Sequence, residues 1–220
     1  MKLSDKTINL LKNFSDINQS ILFKKGNKLR TISVMKNILA EADIPEDFPK
    51  DFGIYDLNQF LRGVFLHNQP ELDFGNDGHV VIREGKTRSK YFFADPSVIV
   101  TPPDKELTLP NVDVEFELST EQLDKVRKAV LAFQLPDLSV VGEAGVVKLV
   151  VHDKKNDTSN DFQVIVGETE SEFCFNFKVE NIKILPGAYK VAISSKLLSR
   201  FTNSDYDLTY YIALEPDSTF

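Results

Sequence analysis

The sequence predicts an α+β fold built from two similar helix–strand units, and three observations predict it. Residues 118–135, LSTEQLDKVRKAVLAFQL, read as an amphipathic helix whose start is written out. Ser119 is the N-cap, Gln122 takes the reciprocal capping-box position, and Leu118 and Leu123 form a hydrophobic staple. Residues 3–17 repeat that start, with Leu3, Ser4 and Ile8 in the corresponding places. Further along, FGIY at 52–55 answers to FNFK at 175–178, and YFFADP at 91–96 to YIALEP at 211–216, in register within a few residues.

In the first unit the helix puts Ile8, Leu11 and Phe14 inward and Lys6, Asn9, Lys12 and Asn13 outward. Residues 20–23 and 28–33 flank the turn KKGN and read as a hairpin; 37–42 read as a strand and 44–51 as an acidic, proline-containing loop. Asp56 caps a second helix, with Gln59 at the capping-box position, Tyr55 and Phe60 as staple, Leu57, Leu61 and Val64 inward, and Asn58, Gln59 and Arg62 outward. Strands follow near 71–74, 79–83 and 89–93, punctuated by the turn signals NDG and EG. Residues 94–112 hold four prolines and no sustained period, which marks a linker. The units are therefore drawn at 1–96 and 113–220, with a connector at 97–112.

The second unit repeats the order. Its helix faces inward with Leu123, Val126, Val130 and Phe133, leaving Asp124, Lys125, Arg127, Lys128 and Leu131 on or beside the opposite face. Residues 138–141 and 146–152 form a hairpin around GEAG, 161–166 alternate as a strand, and 173–177 lead into a short helical turn at 178–185 that Pro186-Gly187 stops. Strands at 188–194 and 209–214 pair around a polar loop at 199–207.

Composition narrows the function. The 220 residues carry a net charge of −7; up to residue 109, 15 basic residues balance 15 acidic ones, and beyond it 11 face 18. A basic helix face on an acidic body concentrates attraction for phosphate on one surface. No apolar run approaches the roughly 18 residues of a membrane span, so the chain reads as cytoplasmic with no membrane partner. The single cysteine, Cys174, fits a reducing compartment.

Enzyme signatures are scarce. His67, His79 and His152 fall in different elements and read as surface or edge residues without metal-ligand spacing, Cys174 reads as a buried inert thiol, and no phosphate-cradling glycine pattern occurs. The sequence therefore predicts no catalytic residue, no metal and no cofactor. What remains is a set of outward cations and amides: Lys6, Asn9, Lys12, Asn13, Arg62, Lys125, Arg127, Lys128, Lys178 and Lys183. Without interleaved aromatics, such groups suit sequence-independent contact with duplex phosphates.

The segments LLKNF at 10–14, IYDLNQFL at 54–61, ADPS at 94–97, FNFKVENIKILPGAYK at 175–190 and ALEPDST at 213–219 resemble, in order and spacing across the whole chain, the DNA polymerase sliding clamps of T-even-type bacteriophages. That resemblance implies the DNA clamp fold: a homotrimeric ring, two similar domains per chain, helices lining a central channel around double-stranded DNA and sheets outside. It implies a DNA polymerase and other phage DNA-transacting proteins as clients, and an ATP-dependent clamp loader. Closure would be head to tail between strand edges, by position Lys90, Tyr91, Phe92 and Phe93 on one side and Phe162, Val164 and Val166 on the other. Client peptides would dock against Val98, Ile99, Leu107, Tyr211, Ala213 and Pro216. Two alternatives stand beside it: a monomeric processivity factor held by charge, and a β-rich ligand-binding protein or enzyme.

Overall fold

Short capped helices laid on antiparallel strands build both halves of the chain. The computed structural model describes residues 1–220 and resolves two units, Met1–Lys105 with Asp205–Leu208, and Glu106–Ser204 with Thr209–Phe220.

The first unit contains α1 (Asp5–Ile17), β1 (Ile21–Phe23), β2 (Gly26–Ile32), β3 (Ile38–Phe48), β4 (Phe52–Ile54), α2 (Leu57–Phe65), β5 (Glu71–Asp73), β6 (His79–Glu84) and β7 (Thr87–Phe92), then a 3-10 turn at Pro96–Val98. β1 pairs with β4, β2 with β3, and β5, β6 and β7 form a three-stranded antiparallel sheet in that order. Its core is aromatic. Phe23 stacks on Phe52 at 4.5 Å, Phe48 meets Phe23 edge-on at 4.8 Å, and Phe74 and Phe93 close on Phe52 at 5.0 and 4.9 Å. Gly53 lets this cluster close: a Cβ there would lie 2.6 Å from Ile99 and 2.8 Å from the Ala94 carbonyl.

The second unit contains β8 (Val114–Leu118), α3 (Thr120–Phe133), β9 (Asp137–Glu143), β10 (Val146–His152), β11 (Phe162–Glu168), β12 (Phe173–Lys178), a 3-10 turn at Val179–Asn181, β13 (Tyr189–Ser194), β14 (Leu198–Asn203) and β15 (Leu208–Ala213). One sheet runs β11-β10-β9-β12, and β15-β14-β13-β8 form another. Alternation does the sorting: β8 buries Val114, Phe116 and Leu118, and β10 buries Val147, Leu149 and Val151. Leu123 and Val126 of α3 meet Phe116, Leu149, Phe177 and Phe201 in a tightly filled apolar centre.

Several expectations are corrected. Residues 20–33 are not a hairpin: the Lys25 N–H donates to the Asp51 carboxylate at 2.7 Å, and β1 lies along β4 instead. The expected loop at 44–51 is strand as far as Phe48, with Pro45 in the bulged stretch where no partner needs its missing N–H. Residues 178–185 hold no fourth α-helix, only the 3-10 turn, because β12 continues to Lys178. Two strands escaped the sequence reading, β8 between the presumed linker and the helix that follows it, and β14 at the presumed polar loop. Tyr55 is 60% exposed and is no staple; Phe60 packs edge-on against Tyr91 at 5.3 Å. His67 is buried, its two ring nitrogens 3.1 and 3.2 Å from the hydroxyls of Thr87 and Ser89.

Candidate nucleic-acid interface and assembly edges

Each helix is held at its start by side chains close in sequence, and this sets which faces meet solvent. In α1 the Ser4 hydroxyl accepts from the Thr7 N–H at 3.2 Å, while the Ser4 N–H and the Thr7 hydroxyl both donate to Glu46 on β3. Burial alone would push the Glu46 carboxyl up; these bonds outweigh it and hold the group below its ordinary range. Asp56 caps α2 by accepting from the Gln59 N–H at 2.7 Å. Ser119 and Gln122 make the full capping box on α3, with bonds of 3.2 and 2.9 Å.

The basic and amide residues named from sequence differ in how far they reach solvent. Asn9, Lys12 and Arg62 are exposed in the first unit, with Lys12 over the Phe65 ring at 4.8 Å and the Ser15 hydroxyl joining α1 to Asn58 of α2 at 3.0 Å. Asn13 is buried and faces inward, contrary to expectation, because it sits between Leu10 and Phe14 on the covered side. Lys6 pairs with Asp207 of the same unit at 2.7 Å. In the second unit Lys125 and Lys128 are exposed, Lys125 paired with Glu121 at 2.7 Å one turn back. Arg127 instead donates to the Ile184 carbonyl. Lys178 is the ion-pair partner of the buried Asp137, whose hydrogen bond raises the Lys178 pKa, and it lies on a strand rather than a helix. Lys183 is exposed in the segment after the 3-10 turn.

The residues named for assembly lie on edge strands. β7, carrying Lys90, Tyr91 and Phe92 with Phe93 next to it, is an outer strand of the β5-β6-β7 sheet; β11, with Phe162, Val164 and Val166, is an outer strand of the β11-β10-β9-β12 sheet. α2 packs on β7 and α3 on β11. Around each pair, large apolar side chains stay in solvent: Phe65, Leu66 and Phe92 in the first unit, and Leu131, Phe133 and Ile165 in the second. Beside α3 an apolar cleft of about 220 Å³ is lined by Val130, Leu131, Leu138, Val179 and Ile182. Phe133 was expected inside; the helix instead ends at Gln134, in the left-handed region at φ 53, and the chain re-enters the core only with Leu135.

The residues named for a client pocket are not alike. Val98 and Pro216 are exposed, and Leu107 and Ala213 are half-buried. Ile99 and Tyr211 are each 7% exposed, so neither is open to a ligand; Ile99 is spent on Gly53. The sequence reading missed Val34 and Met35, which are 67% and 81% exposed at the tip joining β2 to β3. Asn18 bonds the Ile32 carbonyl at 2.8 Å and the Val100 carbonyl at 3.4 Å, which ties that tip to the start of the connector. An apolar pair at a turn, where polar residues normally sit, was the available signal.

Comparison with known proteins fits this geometry. Residues 2–101 match the family described as DNA polymerase processivity factor, and residues 115–216 match that described as gp45 sliding clamp, C terminal. The sliding clamp of Vibrio phage KVP40 is 35% identical over 98% of this chain and 99% of its own length. Those of Escherichia phage RB69 and Enterobacteria phage T4 are each 31% identical over 100% of this chain and 99% of theirs. Among solved structures, the Proliferating Cellular Nuclear Antigen of Entamoeba histolytica superposes with a TM-score of 0.71 at 14% identity, covering 97% of both chains. A. fulgidus PCNA, solved with the C-terminal region of FEN-1 bound, gives 0.70 at 13% identity over 96% of both. The fold is therefore that of the DNA clamps. The chain belongs to the sliding clamp family of DNA polymerase processivity factors, and its work is to tether a polymerase for processive synthesis.

Proposed function

We propose that three copies close head to tail into a ring around duplex DNA, β7 of one copy meeting β11 of the next. The observation that carries this reading is the matched pair of outer strands, one per unit, each beside a helix and each surrounded by exposed apolar side chains. Strand edges left bare invite pairing with another chain, and a head-to-tail contact that closes makes a ring rather than a filament. Asn9, Lys12, Arg62, Lys125 and Lys128 face the DNA, with Lys183 as a flanking contact. Lys6, Arg127 and Lys178 act mainly as structural cations, since Lys6 and Lys178 are largely covered where they meet Asp207 and Asp137 and Arg127 is spent on the Ile184 carbonyl. Contacts to phosphate are weak and mobile because the ring, not the charge, prevents escape. An ATP-dependent loader opens the ring, the host cytoplasm is the setting, and clients dock first on the exposed apolar side chains Val34, Met35 and Val98.

Retention on DNA separates a ring from a charge-held monomer. Loaded on nicked circular duplex, the protein stays bound through a high-salt wash and is lost when the circle is linearised. A charge-held monomer washes off both forms.

A further inference from the structure

No strand of the chain pairs with the outer edges of β7 and β11, but β12, the other outer strand of its sheet, is covered. Residues 215–219 cap every outward backbone group of its middle. The Cys174 N–H donates to the Thr219 carbonyl at 3.0 Å and the Thr219 N–H returns to the Cys174 carbonyl at 2.8 Å. The Glu215 N–H donates to the Asn176 carbonyl at 2.8 Å, and the Asn176 N–H to the Ser218 hydroxyl at 2.9 Å. Two side chains fix the direction. Asp217 pairs with Lys154 at 2.7 Å, and the Phe220 ring lies nearly parallel to Phe175 at 5.9 Å and beside Phe173 at 6.2 Å.

We propose that the outer edge of β12 is a strand-addition site for an extended client peptide with an acidic residue three positions before an aromatic one, and that residues 215–220 fill this site in the free chain as an internal mimic. The chemistry of the site is read from its present occupant: a backbone ladder at Cys174 and Asn176, an ammonium at Lys154, and a platform of two phenylalanine rings. The occupant is built to leave. Leu214 is 6% exposed and anchors the core, whereas Pro216, Asp217 and Thr219 are exposed and Phe220 is 58% exposed. A strap fixed only for edge protection would sink its aromatic residue; this one rests on the platform and leaves with little core lost. Tethering gives the strap a high local concentration, so a client must bind more strongly or engage a second surface at once.

Cys174 is the chain's one cysteine, half-buried under this ladder with its thiol 3.4 Å from Asn176 Oδ1, so its labelling reports the strap. The probe is a fluorescent peptide LEPDSTF, the sequence of residues 214–220, added to the full chain without DNA. Phe220→Ala removes the ring and Thr219→Pro removes one ladder donor. In both, Cys174 labels at least tenfold faster while thermal unfolding of the chain is unchanged. Each variant binds the peptide at least tenfold more tightly than the unaltered chain, and the bound peptide restores protection of Cys174. A peptide with Ala at the aspartate position binds the variants more weakly. Unchanged labelling in both variants overturns the proposal, as does faster labelling that the peptide does not reverse. If one variant fails to fold, the other decides. Because no DNA or polymerase enters the assay, its failure leaves the ring reading intact, and failure of the ring leaves this result standing.

Discussion

Helix α1 buries Leu10, Leu11, Phe14 and Ile17 down to its last residue, whereas α3 buries Leu123, Val126 and Ala129 and then leaves Leu131 and Phe133 78% and 45% exposed. Both start on a serine cap, and both carry an apolar stripe. The difference lies in what covers the final turn: α1 is closed over by its own unit, while the last turn of α3 borders an apolar cleft. A cap and a 3.6-residue period place a helix on its domain, but they do not say whether its last turn is finished within the same chain. On the proposed ring, the unfinished helix would mark the joint.

Five predictions bear on this contrast, and the largest effect comes first. Leu131→Glu weakens self-association at least 100-fold in equilibrium sedimentation with no change in unfolding, whereas Phe14→Glu in α1 abolishes folding as seen by circular dichroism, because it forces a charge into a site that is 0% exposed. If Leu131→Glu unfolds the chain as well, the contrast is broken. Lys178→Ala costs about 2 kcal/mol in urea unfolding, since it leaves the buried Asp137 carboxylate with the Lys154 N–H but without its cation. Lys128→Ala changes stability by less than about 0.5 kcal/mol. It also lowers by about 0.9 the slope of log affinity against log salt for duplex.

Ser119→Ala costs about 1 kcal/mol through loss of the α3 cap, and Ser4→Ala about the same in α1, where the Ser4 backbone bond to Glu46 survives. The smallest effect is one of pH. Glu46 binds its proton less readily folded than unfolded, so its contribution is present above its ordinary pKa of 4.5 and fades as pH falls through the lower folded value. In acid titrations followed by urea unfolding, Glu46→Gln removes that slope. Glu121 on α3 is also held low, by its hydrogen bond to Lys125, but the pair is on the open surface. Glu121→Gln therefore leaves the acid slope nearly unchanged, and salt removes what remains.

Patterns local in sequence were the legible ones. The caps at Ser4, Asp56 and Ser119 were readable because donor and acceptor lie three residues apart, and the clamp family was readable from short words in order along the chain. Strand partners were not, because pairing is decided between distant residues: nothing near Ile21 announces that it will lie opposite Ile54 rather than across the KKGN turn. β8 was hidden by its neighbours, since VEFEL alternates cleanly but follows a proline-rich stretch that reads as linker. At the candidate site, charge type was visible but commitment was not. Lys178 and Lys128 look equivalent in sequence; only the fold puts buried Asp137 beside one of them. Ile99 and Tyr211 read as pocket residues because they are apolar and near the connector or the last strand, yet the core had already claimed both.

Sedimentation equilibrium across micromolar to nanomolar concentration decides whether three copies form a closed assembly. A ring of three appears as a particle of three times the 24.9 kDa chain mass that dissociates on dilution, and that Leu131→Glu converts to a folded species of single-chain mass. A persistent monomer, or a dimer at every concentration, would contradict it.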